Sequence, residues 1–98
     1  MKHKLTMVVL ATLAGCASYD LSINASFEPV PDGFRYRNIA DKIYPPNSRE
    51  AELKRYDRLN QFLAETGQCP NGYLIRSRTP VRKTRGGIYD IFYVGVCT

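Results

Sequence analysis

Apolar and polar residues alternate with period two from Tyr19 to Phe27. Tyr19, Leu21, Ile23, Ala25 and Phe27 stand against Asp20, Ser22, Asn24 and Ser26. Such alternation predicts a strand with one buried face. Glu28-Pro29-Val30-Pro31-Asp32-Gly33 then reads as a turn or linker, because two prolines oppose a continuing strand and Asp-Gly suits a tight turn. Phe34-Arg35-Tyr36-Arg37 alternates again and predicts a short strand with both arginines on one face.

The period changes after Pro45-Pro46. Residues 48–66 contain no Pro or Gly, and Ala51, Tyr56, Leu59, Phe62 and Leu63 fall on one broad face at helical spacing. Leu53 lies at the edge of that face, and Glu52 interrupts it. Asn47 is the predicted N-cap, with Glu50 three residues on as in a capping box, and Gly67 suits the left-handed position after the last turn. A helix is therefore expected over about 48–66.

Cys69-Pro70-Asn71-Gly72 reads as a turn. Strands follow over about 73–79 and 88–97. A hairpin centred near Lys83 would set Tyr73 opposite Tyr93 and Ile75 opposite Ile91, with Cys69 nearly aligned to Cys97. The expected fold class is α+β, one helix packed on a small antiparallel sheet that ends in a C-terminal hairpin.

The first sixteen residues carry a different signal. Lys2 and Lys4 precede a run of about ten largely apolar residues, the length of a secretory h-region and too short for a spanning helix. The run ends in Leu13-Ala14-Gly15-Cys16, which resembles the lipobox of bacterial lipoproteins. The resemblance implies a diacylglyceryl group on the Cys16 sulfur, cleavage after Gly15 and acylation of the new N-terminus. Ala17 follows, and the retention signal Asp is not there, so the resemblance points to the periplasmic face of an outer membrane. The expected organisation is a signal peptide over 1–15, a lipid-anchored tether or N-terminal strand over 16–33 and a small domain over 34–98.

Composition then narrows the chemistry. The 98 residues carry 14 Lys+Arg against 9 Asp+Glu, and loss of Lys2 and Lys4 with the signal would lower the net charge from +5 to +3. It would also remove His3, the single histidine. Ser-His-Asp and Cys-His sites could not then be assembled, nor a His-ligated metal centre. Carboxylates such as Glu28, Asp32, Asp41 and Asp90 are present, but those of the predicted helix (Glu50, Glu52, Asp57, Glu65) read as solvated charge. Gly86-Gly87 lacks the flanking pattern of a phosphate loop. The inventory argues against an enzyme and calls for no cofactor and no metal.

With Cys16 taken by lipid, Cys69 and Cys97 form an even pair in an exported chain, which predicts a disulfide. A chain this short is expected to need such a staple. Arg76, Arg78, Arg82, Lys83 and Arg85 fall within ten residues, Arg76 and Arg78 on one strand face and the other three in the hairpin loop. Such a cluster suits either an edge guarded by charge or a site for phosphate and carboxylate groups. The expected role is a non-catalytic interaction or structural module of the envelope. Its partners would be the membrane, through the lipid, and an envelope protein, with no nucleic acid. The alternative is binding of an anionic envelope component (lipid or lipopolysaccharide phosphate, or peptidoglycan) through residues 76–85.

Overall fold

The computed structural model describes residues 25–83 and 86–98. The expected lipid site at Cys16 and the stretch 19–24 of the predicted first strand lie outside the described residues, as does Arg85. The elements run β1 (Ser26–Val30), β2 (Gly33–Ala40), α1 (Arg49–Thr66), β3 (Tyr73–Arg82) and β4 (Tyr89–Cys97). The strands form one antiparallel sheet in the order β1-β2-β4-β3, and α1 covers one of its faces. The α+β architecture with its C-terminal hairpin is as the residue pattern predicts.

β1 runs through Pro29, where the sequence predicts a break. It does so because β1 is an edge strand, the place where a missing N–H need not cost a ladder bond. The reversal falls on Pro31 and Asp32, with Asp32 in the left-handed region (φ 61°), a conformation that Asp tolerates better than most residues.

Helix α1 starts one residue later than predicted. Ser48 is the N-cap, with extended backbone angles and its hydroxyl accepting from the Ala51 amide at 3.2 Å. The Ser48 amide is held by the Pro45 carbonyl in a preceding turn, which moves the cap off Asn47. Glu50 is thereby displaced from the capping-box position. The helix ends as expected at Gly67, left-handed at φ 73°.

The core lies between α1 and the inner face of β2 and β4. Phe34, Tyr36, Ala40, Leu59, Leu63, Ile91 and Tyr93 are buried there. Phe27 on β1 stacks on Phe62 of the helix, with ring centroids 5.3 Å apart, so the edge strand is part of the packed unit. Two glycines let the central strands and rings approach. A Cβ on Gly33 would strike the Gly95 carbonyl, and one on Gly95 would enter the Phe34 ring.

The hairpin register differs from the expected one. Tyr73 pairs with Cys97 and Ile75 with Gly95, four residues beyond the predicted partners. β3 continues to Arg82, beyond its predicted end at Thr79, while β4 starts one residue later than predicted, at Tyr89, and the turn closes with the Lys83 amide donating to the Ile88 carbonyl at 2.7 Å. A shift of four preserves the two-residue side-chain period, so Tyr73 and Ile75 stay on the sheet face that pairing with Tyr93 and Ile91 would have given them. A bulge between Ile75 and Ser77 then breaks the phase. Cys69 is not on a strand at all. The left-handed residues Gly67 and Cys69 turn the chain back from the helix end, which brings Cys69 to 4.8 Å (Cα–Cα) from Cys97 in the disulfide.

A Gly95→Ala substitution should therefore be among the costliest single-methyl additions in the chain, because Phe34 is fully buried and cannot move aside. The expected loss is about 1–3 kcal/mol in urea unfolding. A loss near zero would mean that the Phe34 ring has room to shift.

Candidate interaction surface

The basic cluster of the hairpin is divided by the bulge. Arg78 turns to the helix side, where its Nε donates to Glu52 Oε2 and its Nη2 donates to Glu52 Oε1, both at 3.0 Å. Its Nη2 also donates to the Pro46 carbonyl at 2.6 Å. Arg76 is exposed beside Ser77, which pairs with Val94. The expectation that Arg76 and Arg78 share one face fails for that reason: the extra residue reverses the alternation between them. Arg82 ends β3 rather than sitting in the loop. Lys83 follows it, 3.8 Å from Asp90.

Glu52 is the hub of this region. It accepts from Arg78, from the Tyr93 hydroxyl at 2.8 Å, and from Arg55 Nη1 at 2.8 Å. Arg55 is fully buried on the helix face that packs on the sheet. Its remaining donors reach the carbonyls of Ile39, Tyr44 and Pro45. The Tyr36 hydroxyl donates to the Arg55 carbonyl and accepts from Asn38 Nδ2, both at 2.7 Å. A buried guanidinium is tolerable only when its donors are met in this way. Neither Arg55 nor Glu52 stands out in the sequence as a structural residue, because charged positions on a helix are normally solvated.

Burial alone would raise the Glu52 carboxyl, but hydrogen bonds from Arg78, Tyr93 and Arg55 outweigh it and hold the group below its ordinary value. The Tyr93 phenol is pushed up, first by burial and then by the Glu52 carboxylate it donates to. Burial likewise raises Tyr36. The site is built to keep one carboxylate ionised and two phenols protonated. That is the electrostatics of a structural clamp, since the carboxylate already accepts from three side chains.

Among the described residues no helix lies on the other face of the sheet. Register places Val30 of β1, Arg35, Arg37 and Ile39 of β2, Phe92, Val94 and Val96 of β4, and Leu74 of β3 on that side. Phe92 is 41% exposed and Leu74 66% exposed. A groove of about 370 Å³ crosses β2 from β1 to β4, lined by Ser26, Phe27, Glu28, Arg35, Tyr36, Arg37, Phe92, Tyr93 and Val94. Its charges are loosely held at one end and firmly at the other. Arg35 lies 3.9 Å from Glu28 with both side chains mostly in solvent, whereas Arg37 reaches Asp90 at 3.0 Å and Ser26 at 3.3 Å. The sequence predicts Arg35 and Arg37 on one face. It does not predict that this face stays uncovered, because the alternation reads the same whether a second layer covers it or not.

Replacing Glu52 with Gln should cost about 3 kcal/mol, because it leaves the buried Arg55 charge without its anion. The carboxyl is lowered in the folded state, so its stabilisation is present above the ordinary glutamate value of 4.5 and is lost as pH falls through the folded value. The wild type should therefore lose stability in acid along a steeper curve than Glu52→Gln, read by urea midpoints between pH 7 and pH 3. Parallel curves would show that the carboxylate is not the titrating clamp. Compared with known proteins, the chain matches no family model, no curated protein and no solved structure.

Proposed function

We propose that the protein is a small lipid-anchored module of the bacterial envelope, held by Cys16 on the periplasmic face of the outer membrane, that works by non-covalent docking rather than catalysis. The observation that carries the docking reading is the uncovered sheet face, with Phe92 and Leu74 exposed beside Arg35 and Arg37. A surface of aromatic and aliphatic side chains rimmed by arginine is the composition of a recognition patch. The Leu13-Ala14-Gly15-Cys16 motif supports the anchor, since two or three acyl chains hold a protein far more firmly than one. Catalysis is disfavoured because the single histidine, His3, lies in the predicted signal, and Glu52 is saturated by Arg55, Arg78 and Tyr93.

A second reading, binding of an anionic envelope component, is favoured by a specific placement. Arg76 and Arg35 are both exposed, and Arg76 has no ion-pair partner among the described residues. The cationic surface offered is then the sheet face and its edge. It is not the hairpin segment 76–85 as a unit, because Arg78 is committed to Glu52.

The anchor is read by the intact mass of protein extracted from membranes. The expected product begins at Cys16 and carries the added mass of its acyl chains. A product without acyl mass would overturn the anchored reading.

A further inference from the structure

We infer that the uncovered sheet face is a membrane-docking surface for anionic phospholipid, so that the domain lies sheet-down on the bilayer. The inference rests on the anchored reading for proximity and on the face itself for chemistry. Between an acylated Cys16 and the first described residue, Ala25, there are nine residue steps. At about 3.3–3.6 Å per residue, even a fully extended tether keeps β1 within roughly 30 Å of the lipid. Ser26 opens β1, the edge strand beside β2, so the tether joins the fold at the sheet.

The face has the two halves that such a surface requires. Phe92, Val94 and Leu74 supply apolar area for the acyl boundary. Arg35 and Arg76 supply exposed guanidinium groups, which match phosphate oxygens in their planar fork, while Arg37 is held by Asp90. Against these stand two carboxylates. Asp90 is bound within the fold by Arg37 and Lys83, and Glu28 sits 3.9 Å from Arg35. The face is thus net cationic. A second copy stacked face to face would bring like net charge together, whereas an anionic headgroup layer neutralises it.

The chain contains no tryptophan, so single-tryptophan reporters have no background. The membrane-extracted protein carrying Phe92→Trp would be reconstituted into vesicles with brominated acyl chains, either phosphatidylcholine alone or with added phosphatidylglycerol. Leu74→Trp serves as a second reporter on the same face. Leu53→Trp, on an exposed helix position 56% accessible, serves as the control. The expected result is a blue shift with strong quenching of both sheet-face reporters in the phosphatidylglycerol vesicles, and little quenching of the helix reporter. Changing Arg35 to Gln should lower the docked population roughly fivefold, the effect of one basic residue near an anionic surface.

Equal quenching of helix and sheet reporters would overturn the inference. So would strong quenching in phosphatidylcholine alone, which would remove the anionic requirement. A blue shift without quenching would assign the face to protein, either a second copy or another partner. The intact mass of the same preparation reads the anchor separately. An unacylated chain with quenched Phe92→Trp would remove the anchor and keep the face, and an acylated chain with unquenched reporters would do the reverse.

Discussion

The fold depends on one buried cation. Arg55 is a helix residue with no solvent contact, and its guanidinium must find its partners inside the protein. It finds them in the Glu52 carboxylate, in the Ile39 carbonyl of β2 and in the Tyr44 and Pro45 carbonyls of the segment joining β2 to α1. Glu52 then binds Tyr93 and Arg78 from the sheet. A set of directional bonds thus fixes where the N-terminal half of the helix sits. Apolar contact alone would not, since it tolerates sliding. The loop after β2 is held by the same group, which explains how a segment without regular structure keeps a defined path over residues 41–48.

The other end of the helix is fixed by covalent means. The chain leaves α1 through left-handed Gly67 and reaches Cys69, whose disulfide to Cys97 ties it to the end of β4. Gln68 adds bonds from its amide nitrogen to the carbonyls of Val30 and Gly33, which join the same corner to the β1–β2 turn. Between the two clamps lies a thin apolar layer of Leu59, Leu63, Tyr36, Phe34, Ile91 and Tyr93. For a short chain such end-fastening is physically sensible. A single helix on a sheet buries too little apolar surface to hold its position unaided.

One helix cannot cover both faces of a four-stranded sheet. Among the described residues the architecture therefore leaves Phe92 and Leu74 exposed and Val94 half-buried on the open face. The same constraint separates the basic residues into two populations. Arg55 of the helix and Arg78 of β3 lie between helix and sheet and are held by Glu52, while Arg35, Arg37 and Arg76 stand on or beside the open face. Position in the sheet, and not sequence proximity, decides which arginines serve structure and which face outward.

Local chemistry was enough to determine the helix, the strands β2, β3 and β4 and the disulfide. The 3.6-residue spacing of Ala51, Leu59 and Leu63, the period-two runs and the glycine after Thr66 act within a few residues and leave their mark in the sequence. Cys69 and Cys97 are legible as a pair because the lipobox resemblance assigns Cys16 another role. What the sequence could not fix was the four-residue hairpin shift, the bulge beside Arg76, the strand through Pro29 and the burial of Arg55. Each depends on a neighbour distant in sequence. β4 sets the hairpin pairing, the edge position of β1 admits a proline, and four partners from three parts of the chain make a buried arginine stable. The open face belongs to the same class, because a strand's alternation records which side is apolar but not whether another layer lies against it.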